Sequence, residues 1–332
     1  MPPHNYHTMN ISASHCRNKN VQYILDVNER LIMEGRQMHI LITGGTGFVG
    51  KYLTKALVEK GHHIWVLTRS PEKYKDGQMV TYLSYNICVQ DLPSIDAVIN
   101  LAGESLFGYW TKRKKKRILS SRLQATHKVI SLMKQMETKP NVFLTASAVG
   151  FYGTANDTVF TEKTTKHGDD FLAHVTMTWE EAAREAEKLG VRTVYTRFGI
   201  VLGKRGALPL MSLPIKSFIG GKIGSGQQYI SWIHIDDAIL LLTFCLFNNG
   251  INGPINITAP QPKRNKDFLQ ILASVLKRPY YLPVPSSLIR GVIGEMSTLI
   301  LNGQYVLPKK AIDFGYEFKY DRLETALQAI YH

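Results

Sequence analysis

The stretch Thr43-Gly44-Gly45-Thr46-Gly47-Phe48-Val49-Gly50 decides the fold. It stands between an apolar, strand-like run at residues 39–42 and an amphipathic helical pattern that reaches Lys60, and a second strand-like run follows at 64–67. Strand, glycine turn, helix and strand in that order make a βαβ unit in which the glycines have separate tasks. Gly44 and Gly45 permit a turn that side chains would block, Gly47 lets the main chain approach a diphosphate, and Gly50 allows the helix to lie close against the sheet. The first helical turn then offers unpaired N–H groups and a partial positive charge to an anion. The flanking strand and helix distinguish this pattern from a plain tight turn.

A site that prefers NAD places an acid about 20 residues after the loop, at the end of the second strand, to accept from the ribose 2′-hydroxyl. Here that place is Thr68, followed by Arg69 and Ser70. A guanidinium and a hydroxyl suit a 2′-phosphate through charge-assisted hydrogen bonds, so NADP(H) is the expected cofactor. The competing reading makes Arg69 an ordinary surface arginine at a strand end.

Working outward, strand-like runs recur at 97–101, 142–145 and 191–196, separated by helical patterns at about 113–136 and 171–189. Such alternation predicts an α/β fold, a Rossmann-like doubly wound parallel sheet covered on both faces. After Arg197 the rhythm changes to glycine-rich loops at 203–206 and 220–226 and a strand-like run at 254–258, which reads as a smaller α/β substrate lobe. The remainder carries Pro279, Pro283 and Pro285, a helical pattern at 287–301, Pro308, and an amphipathic helix near 323–330. The expected plan is therefore an extension at 1–37, a dinucleotide-binding domain at 38–260 with its lobe from about 200, and a C-terminal extension at 261–332. Residues 1–37 are polar and read as disordered apart from a short helix at 21–33. The Glu34-Gly35-Arg36-Gln37 stretch is of a kind encoded by a purine-rich ribosome-binding site, which makes Met38 the expected start of translation. Peptides from residues 1–33 in the native protein would exclude that start.

With 332 residues, 44% hydrophobic and 20% charged, the chain is long enough for a large core and carries no bias toward disorder or fibre. Its longest apolar run, residues 238–247, is too short to span a membrane. The N-terminus lacks the apolar core of a secretory signal, and Cys16, Cys88 and Cys245 are odd in number and scattered, which fits a reducing cytoplasm. Cys88 and Cys245 have apolar neighbours and are expected to pack as small hydrophobes. No metal is expected: His4, His7 and His15 lack ligand spacing, and no helical His-Glu-x-x-His occurs. The net charge of +14 should attract anions, and it is densest at Lys112-Arg113-Lys114-Lys115-Lys116-Arg117. That run has no interleaved aromatics and no accompanying nucleic-acid motif, so it reads as a solvated helix face.

The glycine stretch, Asn100-Leu101-Ala102-Gly103, Arg197 and Trp232-Ile233-His234-Ile235-Asp236-Asp237 together resemble an extended short-chain dehydrogenase/reductase of the NAD(P)-dependent epimerase/dehydratase family. More narrowly, Glu104, Ser121-Arg122, Trp179-Glu180, Gly220-Gly221, Gly224-Ser225-Gly226-Gln227 and Pro308-Lys309-Lys310 are similar to an atypical subgroup called "epimerase family" proteins, which carries a C-terminal domain of unassigned role. The resemblance implies that the Leu101-Ala102-Gly103 turn lines the adenosine side and that the segment from Arg197 to Ile200 approaches the nicotinamide. It also puts Arg122 where it reaches the cofactor phosphates or the substrate, with an exposed arginine serving solubility as the other reading.

Family members that move hydride use a tyrosine as general acid/base and a lysine four residues later on the same helix face. By the resemblance those positions hold Val175 and Trp179, neither of which handles a proton. Ser147 resembles the family's active-site serine, with Ala148 as a competing alignment and a turn hydroxyl as the structural alternative. Tyr152 reads as a substitute acid or as a packing residue, and His234, beside Asp236 and Asp237 at a helix entry, as structural. The functional expectation is an NADP(H)-dependent oxidoreductase or epimerase of atypical mechanism. Its substrate is an unidentified small molecule, which the basic surface points to as nucleotide-linked or phosphorylated. The alternative is a non-catalytic NADP(H)-binding sensor.

Overall fold

The computed structural model describes residues 37–155 and 157–332. The expectations for residues 1–36, including disorder and the helix at 21–33, lie outside the described residues. From Met38 to His332 the chain forms one compact unit.

The first half builds the sheet. β1 (His39–Thr43) is almost wholly buried, and the glycine turn delivers the chain into α1 (Phe48–Glu59), which buries Leu53 and Leu57 against it. β2 (His63–Thr68) returns alongside β1, and β3 (Val80–Ser84) follows at the edge. The half-exposed β3 escaped the sequence reading because an edge strand has no continuous apolar run to betray it. β4 (Ala97–Asn100) leads to α2 (Lys112–Gln135), whose N-terminus is capped by Thr111 accepting from Lys114 N at 3.2 Å. β5 (Val142–Ala148) and the short β6 (Val159–Phe160) precede α3 (Phe171–Ala183), capped by Asp170 accepting from Ala173 N at 2.9 Å. The helical pattern to 189 continues beyond α3 as a tighter 3-10 turn, and β7 (Arg192–Phe198) closes this half.

The second half contains β8 (Ile200–Leu202), α4 (Ala207–Lys216), β9 (Tyr229–Ile230), β10 (Trp232–His234) and α5 (Ile235–Phe247). Then come β11 (Gly253–Ile257), β12 (Lys263–Arg264), α6 (Asn265–Val275), α7 (Ser286–Ile293) and α8 (Thr298–Leu301). β13 (Tyr305–Val306), α9 (Lys309–Asp313) and α10 (Leu323–Tyr331) finish the chain. The single helix expected over 287–301 is two helices separated at Gly294, which takes φ +57.

Seven parallel strands form the main sheet in the order β11-β7-β5-β4-β1-β2-β3. The Rossmann-like, doubly wound fold class is as expected. One face carries α1 and α5 over a core that includes Ile40, Leu53, Leu57 and Leu242; the other carries α2 over Leu41, Val98, Val129 and Phe143. The boundary near residue 200 needs correction, because α5 and β11 lie beyond it and yet belong to the main sheet and its cover. The apolar run at 238–247 is the buried body of α5, and among the described residues no helix is long and apolar enough to cross a membrane. A second core joins Leu202, Leu208, Trp232, Phe268 and Leu272 to Leu323 and Leu327, so the lobe and the C-terminal extension share one interior. Cys245 is fully buried, as expected, and burial pushes its thiol up to about 12. Cys88 departs from expectation: it lies exposed in the connection after β3, where apolar sequence neighbours do not bring burial.

Candidate functional site

The sheet order reverses between β1 and β4: the chain winds from β1 to β3 in one direction and from β4 to β11 in the other. Open α/β sheets bind ligands in the crevice at the carboxyl ends of the strands at this point. The glycine turn after β1 and the 101–104 turn after β4 meet there. Gly44 takes φ +71, and a Cβ on it would lie 2.6 Å from the carbonyl carbon of Leu101. A Cβ on Gly50 would lie 2.1 Å from the Gly44 oxygen, so both positions exclude every other residue. At Gly47 an added Cβ would meet only the Gly44 oxygen, at 3.1 Å, and otherwise open space. Gly47 also caps α1, which has no side-chain cap and no acid in its first turn, so its leading N–H groups remain available to a diphosphate. Thr46 is half-buried, while Phe48 and Val49 direct their side chains into the core and offer only main chain; Phe48 fills the space above Gly203 and Gly206.

At the end of β2, Thr68 is buried and caps the bend by accepting from Ser70 N at 3.4 Å, whereas Arg69 is exposed. The Lys114 hydrogen bond (2.9 Å) holds the Glu104 carboxyl below the usual range, aided by the charges of Lys114, Arg117 and Arg69. Ser121 Oγ accepts from Glu104 N at 2.9 Å and Arg122 Nη1 donates to Glu104 O at 3.1 Å, so the Ser121-Arg122 pair holds the main chain on both sides of Glu104. Arg122 also donates to Ile118 O (2.8 Å) and stands 5.1 Å from the centre of the Trp179 ring; burial lowers its pKa to about 10. The solubility reading of Arg122 is thereby corrected: the side chain braces Gly103 from behind.

Beneath these turns lies a buried polar chain that sequence reasoning did not find. Thr43 Oγ1 donates to Asn100 Oδ1 (2.6 Å), and Asn100 Nδ2 donates to Thr126 Oγ1 (2.8 Å) and Thr145 Oγ1 (3.4 Å). Trp179 Nε1 donates to the same Thr126 oxygen at 3.0 Å, and Ala102 N donates to Thr43 Oγ1 at 3.3 Å. The ends of β1, β4 and β5 are thus tied to α2, α3 and the 101–104 turn.

A second buried group sits at the ends of β5 and β7. Ser147 Oγ donates to Glu180 Oε1 at 2.6 Å, and Arg197 clamps the same carboxylate through Nε and Nη2, both at 2.8 Å. Burial works against the Arg197 charge, but the hydrogen bonds and charge of Glu180, joined by Tyr152, hold its pKa above the ordinary value. Arg197 stacks 3.5 Å from the centre of the Phe151 ring, and its Nη1 has no protein partner. Tyr152 donates to Asn256 Oδ1 at 2.8 Å, and burial raises its pKa, so it is a packed member of the wall. Val175 and Trp179, also on α3, are both buried. Ile200 begins β8 and donates to Ser231 O at 2.8 Å.

His234 caps α5, its Nδ1 accepting from Asp236 N at 3.1 Å, and burial drives its pKa down to about 4. The basic run at the start of α2 is partly neutralised: Lys114 and Arg117 pair with Glu104, and Lys115 with Glu295. Among the described residues no group of three or more His, Cys, Asp or Glu is placed to hold a metal.

A doubly wound parallel sheet with a glycine turn at its switch point and an uncapped helix behind it defines the dinucleotide-fold class. The chain belongs to the NAD dependent epimerase/dehydratase family, whose profile matches residues 40–258; a further profile, Domain of unknown function (DUF1731), matches residues 284–330. It is similar to Epimerase family protein YfhF of Bacillus subtilis (strain 168), with 47% identity over 296 residues covering 88% of this chain and 98% of the relative. The Arabidopsis thaliana Epimerase family protein SDR39U1 homolog, chloroplastic, is 42% identical over 306 residues, 89% of this chain and 87% of the relative. The crystal structure of human epimerase family protein SDR39U1 (isoform2) with NADPH aligns with a TM-score of 0.80 at 32% identity, covering 88% of this chain and 99% of that one.

Proposed function

We propose that this protein binds NADP(H) across the switch point and acts as an oxidoreductase or epimerase of atypical mechanism on a small molecule. The observation that carries the reading is the end of β2, where Arg69 and Ser70 follow Thr68 beside an open, uncapped α1 N-terminus. The α1 amides hold the diphosphate, Arg69 and Ser70 hold the 2′-phosphate, and the 101–103 turn, braced by Arg122, backs the adenosine. A human relative crystallised with NADPH supports the choice of cofactor. When bound, NADPH supplies a hydride from its nicotinamide ring. The wall facing that end of the crevice consists of Arg197, Ile200 and Ser147. With its proton committed to Glu180, Ser147 offers its remaining lone pair as an acceptor for a substrate hydroxyl or an ordered water. The basic surface favours a nucleotide-linked or phosphorylated substrate, and the unpaired Cys88 and Cys245 accord with a cytoplasmic setting. Calorimetric titration tests the core of the proposal: NADPH should bind at least tenfold more tightly than NADH, and equal affinities would overturn it.

The alternative, a non-catalytic NADP(H) sensor, draws on a specific observation. On α3 the places where the family's tyrosine and lysine are expected hold Val175 and Trp179, and the nearby polar groups Thr126, Glu180 and Arg197 are engaged with one another or with the sheet. Sustained NADPH oxidation with any carbonyl or sugar-nucleotide compound decides for the enzyme; tight binding without turnover across such a panel decides for the sensor.

A further inference from the structure

More than half of the large apolar side chains left exposed among the described residues fall in two short segments, 210–222 and 277–292. Leu213, Phe218, Ile219, Tyr281 and Leu288 are each more than half exposed. The two segments are laced together: Tyr281 N and Leu282 N donate to Gly220 O at 3.0 and 3.1 Å, Val284 N donates to Lys222 O at 2.8 Å, and the Tyr281 hydroxyl donates to Phe218 O at 3.1 Å. α4 leads into this junction and α7 leaves it, and α7 buries none of its residues. Phe218 makes the exposure costly. Its φ is +63 just past the end of α4, where the left-handed backbone favours glycine, and its ring lies under the Arg278 guanidinium, 4.7 Å from the ring centre, instead of entering the core. A bulky side chain there strains the main chain and gains little burial within this chain. The charge that accompanies these side chains is of one sign. Lys216, Lys222, Lys277, Arg278 and Arg290 stand exposed in the two segments, and neither segment contains an Asp or Glu.

We propose that this surface rests on an anionic bilayer, its apolar side chains entering the headgroup boundary and its cations pairing with lipid phosphates, without spanning the membrane. Charge complementarity carries the choice of occupant. A second copy of this chain would bring like charges together across a two-fold contact. A nucleic acid would satisfy the cations but gains nothing from Leu213, Ile219 and Leu288, which stand among them. A folded acidic protein is registered by charges of both signs, and here no acid interrupts the cations. An anionic lipid surface asks only for what is present, exposed apolar tips amid unopposed positive charge. None of these residues belongs to the glycine turn, to residues 68–70 or to the Ser147, Glu180 and Arg197 group, so the inference stands apart from the dinucleotide reading.

Vesicle flotation of the full chain tests it, with vesicles of phosphatidylcholine alone and of equal parts phosphatidylcholine and phosphatidylglycerol. Partitioning onto the anionic vesicles should exceed that onto the neutral ones by roughly tenfold or more and should weaken as salt is raised. Ile219→Ser with Leu288→Ser removes apolar surface at exposed positions, and Lys222→Gln with Lys277→Gln and Arg290→Gln removes charge. Each should cut partitioning roughly tenfold with the melting temperature unchanged. Lys112→Gln with Arg113→Gln and Lys116→Gln removes as many cations from the basic run of α2 and should cost about threefold at most. Phe218→Gly relieves the left-handed backbone, so it should hold or raise the melting temperature while weakening partitioning roughly threefold or more. Equal partitioning onto both vesicles, none onto either, equal losses in the two charge variants, or full retention by the Ile219 and Leu288 variant would overturn the proposal. A Phe218→Gly chain that melts lower yet floats as well as the wild type would do the same, by showing that the ring serves the fold. Binding of a single-stranded oligonucleotide without partitioning onto vesicles, or a dimer in sedimentation that the Ile219 and Leu288 variant abolishes, would assign the surface to a nucleic acid or to a second copy instead.

Discussion

At the scale of single residues, Arg69 is where dinucleotide choice is expected to reside, since it is exposed at the strand end with no acid at Thr68 to compete for a ribose hydroxyl. Arg69→Ala removes a charge-assisted hydrogen bond from the 2′-phosphate, so NADPH affinity should fall roughly tenfold while NADH affinity stays put. Paired calorimetric titrations measure both. His234 gives a second test, this time of stability. Burial drives the folded pKa to about 4, with Asp236 opposing the shift and Lys319 reinforcing it, while the ring lies tilted against Tyr320 at 4.1 Å between centres. The unfolded chain takes up this proton near 6.5 and the folded chain only near 4, so the unfolded state binds more protons throughout that interval. The stability contributed by neutral His234 is complete above pH 6.5 and is lost as pH falls toward 4, at a slope of up to about 1.4 kcal/mol per pH unit. Denaturant titrations between pH 4 and 7 should show this slope flattened in His234→Asn, which keeps a capping oxygen but does not titrate; an unchanged slope would reject the assignment.

At the scale of elements, the first helix and its glycine turn act as one device. Gly50→Ala places a methyl carbon 2.1 Å from the Gly44 oxygen, which forces α1 away from the turn. The expected result is a loss of about 1–3 kcal/mol in stability together with weakened binding of NADPH and NADH alike, which sets it apart from Arg69→Ala. Thermal melts and the same titrations read the two effects. This device was legible in the sequence because all its parts lie within one contiguous stretch, and the buried strands were legible because parallel strands covered on both faces read as unbroken apolar runs. The half-exposed β3 offered no such run, and α4 hid behind Pro209 and Pro214 among glycine-rich loops. The polar chains at the strand ends were beyond reach for a different reason. Asn100 meets Thr126 and Thr145, and Ser147 meets Glu180, across wide separations in sequence, so nothing local to any of these residues says it has a partner. In the sequence Trp179-Glu180 reads only as a motif; in the fold the indole fastens α3 to α2 and the carboxylate fastens it to β5 and β7.

At the scale of the whole molecule, the C-terminal extension is tied to the main sheet by buried carboxylates that accept main-chain hydrogens. Glu162 accepts from Asn256 N on β11 (2.9 Å) and from Lys310 N at the head of α9 (3.1 Å). Asp237, in the first turn of α5, accepts from Lys319 N (2.8 Å) and Tyr320 N (2.9 Å), and Tyr316 donates to it at 3.2 Å. Just beyond these contacts Leu323 and Leu327 enter the core they share with Leu202, Trp232 and Phe268. Because the tie and the shared core lie next to each other in the chain, the extension should not melt separately from the lobe. Asp237→Ala takes a buried acceptor away from two main-chain N–H groups, at about 1 kcal/mol for each hydrogen bond lost, and should lower the melting temperature by several degrees. The informative feature is the shape of the transition: circular dichroism, which follows the helices, and tryptophan fluorescence, which sums over Trp65, Trp110, Trp179 and Trp232, should fall together in the wild type and in the variant. Two separated transitions in the wild type would show that the extension is an independent unit; two in the variant alone would show that Asp237 is what couples it to the lobe.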